Sequence, residues 1–420
     1  MKKARKLPNG WIEFRIKDKF QTGSGATPLS TKKEFYENGN IPWINSGELE
    51  SPYINSTSNF ITQLGFESSN THLFAKNTVL LAMYGATAGK ASLLEIEACT
   101  NQAICAIKPN DDFSSLFIKY QLDNLYDYLV SLSSGSARNN LSQEGIGNLT
   151  LFAPKTKDEQ EHLIRILRYI DSKIENNNKI NAELESLAKT IYDYWFLQFE
   201  FPNEEGKPYK SSGGKMVWNE ELKREIPDSW SCVQLSAVFS FIKGKLPEKI
   251  FATKEKGLEP YITIDVANGG HPLYCSPKNM ILCNSESIMV MDGAASGDVY
   301  IGPKGILGST FSMIKLKRSD VSNSLIYMML SSLKKSYVRA NTGSTVPHAN
   351  IRYIEQLKVA IPKNCLALSE RIDASFENIN LLKKQIQELY SLKLFLLPLL
   401  MNGQVSLSKK YAQNFEAVLK

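Results

Sequence analysis

Leu80-Leu81-Ala82-Met83-Tyr84-Gly85-Ala86-Thr87-Ala88-Gly89-Lys90 returns 208 residues later as Ile288-Met289-Val290-Met291-Asp292-Gly293-Ala294-Ala295-Ser296-Gly297-Asp298. Both stretches read as an aliphatic strand running into a turn marked by two glycines. The same offset carries Gly135-Ser136 onto Gly343-Ser344, and Phe152-Ala153-Pro154 onto Ala360-Ile361-Pro362. Nearer the start the offset is 219, pairing Pro8 and Trp11 with Pro227 and Trp230. One unit is therefore written twice, with about eleven residues fewer in the second copy, and repeats of this kind decide the architecture before any other signal. Two copies of a globular part plus a helix predict a pseudo-two-fold molecule.

Within the first copy, Ile41–Ile44, Asn77–Met83 and Ala103–Ile107 read as short strands, cut by Gly39, Gly47, Gly85 and Gly89. Leu116, Phe117, Tyr120, Leu122 and Leu125 predict a helix over about 114–131. In the second copy, Ser287–Met291 and Thr310–Lys315 stand where the first has strands.

From Thr156 the period changes. Leu163, Leu167, Ile170, Ile174, Asn177, Asn181, Leu184, Ala188, Ile191 and Trp195 alternate steps of four and three, the seam of a long coiled-coil helix. Thr156 and Glu159 have capping-box spacing, and the helix would be roughly 65 Å long at 1.5 Å per residue. The two seam asparagines read either as register-fixing polar positions or as a local bulge at Asn176-Asn177-Asn178. Leu368, Ile372, Ser375, Ile379, Leu382, Ile386, Leu389, Lys393 and Leu396 repeat the pattern, weakened by Ser375 and Lys393. Pro398 disfavours helical geometry at Leu397, and Asn402-Gly403 reads as the final C-terminal cap. The two helices would bury their seams on each other, antiparallel. The chain thus divides into a globular unit (1–155), a central spacer helix (156–200), a linker (201–222), a second globular unit (223–363), a distal spacer helix (364–403) and a C-terminal tail (404–420).

The net charge is +6. Residues 156–199 carry −2 and 365–400 carry 0, which leaves +8 for the rest. The globular units and their connections are thus what could meet a polyanion; part of the surplus lies in Lys2, Lys3, Arg5 and Lys6. No apolar run follows the start, and the longest one, Leu394–Met401, is too short to span a bilayer. A cytoplasmic location is expected. Cysteines 99, 105, 232, 275, 283 and 365 form no CxxC pair, and free thiols are expected.

No catalytic string survives inspection. Gly85–Ala91 has three residues rather than four between its glycines, and Ala91 where a phosphate loop needs Ser or Thr. A tight inter-strand turn is the better reading. Glu221-Leu222-Lys223 resembles the end of a nuclease site but lacks an upstream Pro-Asp, and there is no Asn/Asp-Pro-Pro-aromatic methyltransferase string. The histidines at 72, 162, 271 and 348 show no ligand spacing, so no metal site is expected. His348 lies in a polar loop, Gly343–Asn350, that matches Gly135–Asn140. Such a loop pair suits nucleic-acid contact, and also suits helix capping by Ser142 or Asn350.

Taken together, these strings resemble the DNA-specificity subunits of type I restriction-modification systems. Both units open on Pro-x-x-Trp (Pro8–Trp11, Pro227–Trp230), run an aliphatic strand into a glycine turn, pass Gly-Ser and Ile146-x-x-Leu149 or Ile354-x-x-Leu357, and close on Pro154 or Pro362. The helices end in Tyr194-Trp195-Phe196-x-x-Phe199 and Leu396–Gly403. The resemblance covers almost the whole chain. It implies an α+β protein with two target recognition domains of mixed β and helix, on an antiparallel coiled coil of two long helices. Each domain would read one half of a bipartite, asymmetric site on double-stranded DNA. The helices would set the spacing and dock two methyltransferase subunits, and restriction subunits would join for phage defence. The chain would catalyse nothing and bind no cofactor. S-adenosylmethionine would belong to the partner that flips out and methylates adenine, and Mg²⁺ and ATP to the restriction partner.

Candidate DNA contacts are Lys32, Lys33, Tyr84, Lys90, Arg138 and Asn139 in the first unit, and Lys243, Lys245, Lys249, Lys304, Arg339 and His348 in the second. The competing readings are a one-chain nuclease or methyltransferase, a coiled-coil protein adaptor, and the specificity subunit of a related defence system that modifies DNA without cutting it.

Overall fold

The computed structural model describes residues 7–133, 141–268, 270, 273–302, 304–343 and 346–405. The chain divides into two compact units, 1–176 with 385–420, and 177–384. Each long helix is thus shared, its halves packing in different units.

The strands of the first unit are β1 (Trp11–Arg15), β2 (Thr22–Ser24), β3 (Ile41–Ile44), β4 (Tyr53–Ile54), β5 (Phe60–Ile61), β6 (Leu73–Phe74), β7 (Val79–Ala82), β8 (Ala91–Leu94), β9 (Ala98–Thr100), β10 (Ile104–Ile107) and β11 (Thr150–Pro154). They form a sheet β2-β10-β7-β8-β4, a sheet β5-β3-β9-β6, and the pair β1-β11. The strands of the second unit are β12 (Met216–Asn219), β13 (Arg224–Pro227), β14 (Trp230–Gln234), β15 (Phe239–Lys243), β16 (Glu259–Ile262), β17 (Leu273–Cys275), β18 (Leu282–Cys283), β19 (Ile288–Val290), β20 (Val299–Tyr300), β21 (Gly305–Leu307), β22 (Phe311–Leu316) and β23 (Lys358–Pro362). Their sheets run β15-β22-β19-β20 and β17-β16-β21-β18, with the pair β14-β23.

The duplication extends to the pairing sense. β3 and β9 are parallel, as are β16 and β21. Trp11 faces Pro154, and Trp230 faces Pro362, so each unit pins its opening strand to the strand that leads into a long helix. The first sheet has one edge strand more among the described residues, β4, which lies parallel to β8.

The helix expected over 114–131 is two helices, Ser115–Asn124 and Tyr126–Ser133, with Ser114 accepting from the Phe117 amide at 3.3 Å. The central helix spans Lys157–Tyr192 and passes unbroken through Asn176-Asn177-Asn178 into a π turn, Asp193–Leu197. At its start the Thr156 hydroxyl donates to Glu159 at 2.9 Å. In the first unit, Leu163, Leu167, Ile170 and Ile174 are buried with Leu397, Leu400 and Met401, and half-buried Ile386, Leu389 and Leu396 join them. In the second unit, Ala188, Tyr192 and Trp195 pack with Ile372, Phe376 and Ile379, beside half-buried Leu184 and Ile191. Leu382 is half-buried, and Asn177 and Asn181 are buried. The helices of this unit run antiparallel: Lys383 lies 3.6 Å from Glu185, while Arg371, earlier on the distal helix, stacks over Trp195, later on the central one.

Two expectations need correction. The distal helix, Leu366–Met401, continues through Pro398. A proline leaves the carbonyl four residues back without its partner, and here that residue, Leu394, is exposed, so water can serve it. Gly403, in the left-handed region, then ends the helix, and the Gln404 amide bonds Leu399 O at 2.9 Å. The stretch read as a linker, 201–222, is folded. Phe201 stacks on Tyr209 and on Trp230, and β12 pairs with β13.

The six cysteines are free thiols; five are buried, and burial pushes Cys105 up to about 12. No described helix is long and apolar enough to cross a membrane.

Asp320 anchors the start of the distal helix. It takes a two-pronged bond from Arg318 at 3.0 and 2.7 Å and accepts the Cys365 amide at 2.8 Å. The Arg318 guanidinium, above all, holds its carboxyl down to about 2. The unfolded value is about 3.9, so this stabilisation is complete above that pH and is lost as pH falls from about 4 towards 2. Asp320→Asn is expected to cost about 1–2 kcal/mol at pH 7, allowing for its partial exposure, and far less near pH 2. Urea titrations at both pH values check this.

Candidate nucleic-acid interface

The repeated turn shows how each unit presents a tip. In the first unit the Gly89 amide bonds Ala82 O, the Ala88 amide bonds Gly85 O, and the Lys90 amide bonds Thr87 O. In the second, the Gly297 amide bonds Val290 O, the Ser296 amide bonds Gly293 O, and the Asp298 amide bonds Ala295 O. Each bond recurs at the offset of 208. Gly85 and Gly89 have φ of +90° and +82°, and Gly293 and Gly297 have +97° and +96°. These left-handed values suit glycine, which is why the glycines recur while the side chains between them change.

What the tips carry differs. The first unit displays Tyr84, about half exposed, and Lys90, whose ammonium is paired with Glu50. Lys32 lies 3.7 Å from Glu34 and over the Phe35 ring. Lys33 is 3.9 Å from Glu37 and largely exposed. Among the described candidates of this unit, only Tyr84 and Lys90 share one turn. Arg138 and Asn139 lie outside the described residues.

In the second unit Asp292 stands where Tyr84 stands in the first. His348 Nδ1 lies 2.7 Å from Asp292 Oδ1, and Lys243 Nζ 3.5 Å from Oδ2. The backbone fixes this group: the His348 amide bonds Thr342 O, the Gly293 amide bonds Pro347 O, and the Ala349 amide bonds Met291 O. With Nδ1 committed to the carboxylate, Nε2 is the imidazole atom left for an outside partner. Lys245 donates to Asn279 O at 3.2 Å. Lys249, Lys304 and Arg339 are exposed. Asp298, which replaces Lys90, is paired with Lys334 at 2.5 Å. The loops that hold these residues also cap helices: Ser142 accepts from Gly145, and Asn350 from Tyr353.

Sequence reasoning did not select Asp292, although its position opposite Tyr84 marked it as variable between the repeats. It also passed over a buried polar cluster in the first unit. Asp171 on the central helix accepts from Tyr53 at 3.1 Å and Tyr120 at 2.7 Å through Oδ2, and from Lys393 at 2.6 Å through Oδ1. Lys119, fully buried, lies against the Tyr53 and Tyr120 rings and bonds Asp123 at 2.7 Å. Burial and the Asp171 charge push both tyrosine hydroxyls far above their ordinary range, so they remain donors.

A family model described as the type I restriction modification DNA specificity domain matches the chain twice, at residues 8–186 and 227–389. The type I restriction enzyme MjaIX specificity subunit of Methanocaldococcus jannaschii is 29% identical over 421 residues, covering 95% of this chain and 94% of the relative. The MjaVIII specificity subunit of the same organism is 28% identical over 179 residues, 40% of this chain and 41% of the relative. Among solved structures, the type I restriction-modification S subunit of M. genitalium covers 96% of this chain and 98% of its own at 16% identity, with a TM-score of 0.59, a likeness of fold. The family match spans most of the chain and falls on both copies of the repeated unit, so the chain belongs to the type I restriction-modification DNA specificity family.

Proposed function

We propose that this chain is the DNA-reading subunit of a type I restriction-modification complex, each unit reading one half of a bipartite, asymmetric site. One observation carries the reading. A single turn is built twice, hydrogen bond for hydrogen bond, yet it offers an aromatic ring at Tyr84 and an Asp292–His348–Lys243 group at the equivalent place. Two identical scaffolds with different tips suit two different half-sites. Polar side chains on such tips would meet base edges in the major groove, and the exposed lysines would meet phosphate.

The helices provide for partners. Ile180, Leu187 and Tyr194 recur every seven residues and are 48%, 50% and 38% exposed, an apolar stripe apart from the buried seam. Such a stripe suits a protein partner, here the methyltransferase subunit. In that assembly S-adenosylmethionine belongs to the methyltransferase, and Mg²⁺ and ATP to a restriction subunit. This chain supplies binding, orientation and spacing, and works in the cytoplasm. A purely protein-binding adaptor has no need of tips that differ so sharply on one scaffold.

The test is methylation mapping by single-molecule sequencing in cells co-expressing this chain and its cognate methyltransferase subunit. A two-part methylated-adenine motif with a fixed gap, absent without this chain, is the expected result; no new methylation despite a stable complex sinks the reading. On the same assay, Tyr84→Ala is expected to relax one position of one half-site, and His348→Ala one position of the other. Each should lose about 1–3 kcal/mol of base discrimination. Lys33→Ala or Lys249→Ala should instead weaken binding to all sequences and shallow its salt dependence by about one charge.

A further inference from the structure

In the first unit the central helix contributes residues 157–176 and the distal helix contributes 385–401. The buried positions of the first segment are Gln160, Leu163, Ile164, Ile166, Leu167, Ile170, Asp171 and Ile174, with Asp171 the one carboxylate among them. Residues 385–401 contain one cation, Lys393. These two charges meet at 2.6 Å, with side chains 6% and 14% exposed. The neighbouring seam positions of the distal helix are aliphatic: Ile386, Leu389, Leu396, Leu397 and Leu400. Aliphatic seams of this kind tolerate sliding by a heptad, and a single buried polar pair is what removes the alternatives.

We propose that Asp171 and Lys393 are the register lock of the helix pair in the first unit. A slip of one heptad sets Asp171 against Ile386 or Leu400, and smaller steps set it against Leu389, Leu396 or Leu397, none of which is a cation. Each of these neighbouring registers therefore strands a buried carboxylate and a nearly buried ammonium together. The globular part reinforces the choice. Tyr53, on the edge strand β4, and Tyr120, on the helix Ser115–Asn124, both donate to Asp171 Oδ2. Lys393 also lies over the Tyr120 ring, 5.4 Å from its centroid. The reading head and both helices are thus keyed at one carboxylate. In the second unit the positions equivalent by 208 are Ile379 for Asp171 and Glu185 for Lys393, so no such buried pair forms there; exposed Glu185 lies 3.6 Å from Lys383 instead, and Tyr327 packs edge-on to Phe376. Lys393, a defect when the seam is read as a hydrophobic pattern, is the positioning residue that gives that seam its register.

The experiment is a spin-label distance measurement on the full chain. Labels go at Ser172 and Ser391, both exposed. Cys232→Ser removes the one partly exposed native thiol, since the other five are buried. The parent and Lys393→Arg, which keeps the charge, should each give one narrow distance. Asp171→Leu/Lys393→Leu makes the seam uniformly apolar and should add a second population at longer distance, the labels starting nearly level and the helices sliding by about 10 Å, the rise of seven residues. Should the leucine pair fail to fold, Asp171→Met/Lys393→Met, which follows the outline of the lysine more closely, reads the same quantity. A folded apolar variant that keeps the single parental distance overturns the proposal.

Discussion

Asp171→Ala is expected to destabilise the first unit by about 3–5 kcal/mol, the cost of breaking a buried ion pair from one side. Three donors lose their acceptor at once: the Lys393 ammonium and the Tyr53 and Tyr120 hydroxyls. Tyr120 is fully buried, and Lys393 is nearly so. The tyrosines cannot ionise to relieve the loss, because burial already holds their hydroxyls far above the ordinary range. The ammonium is left over the Tyr120 face, a contact worth roughly 0.5–2 kcal/mol and too weak to offset desolvation. Asp171→Asn keeps an acceptor for the tyrosines and should lose less. Hydrogen exchange read peptide by peptide on the full chain checks this. Protection in residues 11–176 should fall by about two to four orders of magnitude, with little change in 223–363. Parental protection in Asp171→Ala would show that the cluster holds nothing together.

That this cluster escaped a reading of the sequence has a physical reason. Periodicity reports where apolar side chains recur, so it located Leu163, Leu167, Ile170 and Ile174 but registered Lys393 as a fault and Asp171 not at all. A buried pair 222 residues apart announces itself only when both charges are seen off the surface. Pro398 was misjudged for a related reason: whether a missing amide matters depends on which side of the helix its orphaned carbonyl faces. The segment 201–222 was misjudged because its polar composition hid one aromatic stack on Trp230. The repeated turn, by contrast, was fully legible, since it needs glycine at two left-handed positions and so leaves the same mark twice. The tips were half legible. The difference between Tyr84 and Asp292 could be read directly, but the joining of Asp292 to His348, 56 residues on, is made by irregular backbone pairing that leaves no periodic trace.

A second pair of glycines shows the repeat acting through space rather than through backbone conformation, and its loss should be as costly. Gly25 follows β2 and Gly244 follows β15, at the offset of 219. A Cβ on Gly25 would lie 1.8 Å from Thr100 O, and one on Gly244 2.1 Å from Gly308 O, two carbonyls themselves related by 208. The eleven residues missing from the second copy are therefore lost between the glycine and the carbonyl it meets, and the close approach has survived their removal. Both obstacles are backbone atoms, at the end of β9 and just beyond β21, so no side chain can swing aside. Gly25→Ala and Gly244→Ala should each cost about 3 kcal/mol through forced separation of the strands. At the open tips Gly85 and Gly293, where a Cβ meets nothing within 4 Å, alanine should cost only about 1 kcal/mol of left-handed strain. Each close-packed variant should loosen its own unit, Gly25→Ala lowering exchange protection in the first and Gly244→Ala in the second. Because the two share no packing partner, their costs should add in the double variant. Thermal melts of the four single variants rank the two classes, and a Gly25→Ala chain that melts no lower than Gly85→Ala would refute the argument from space.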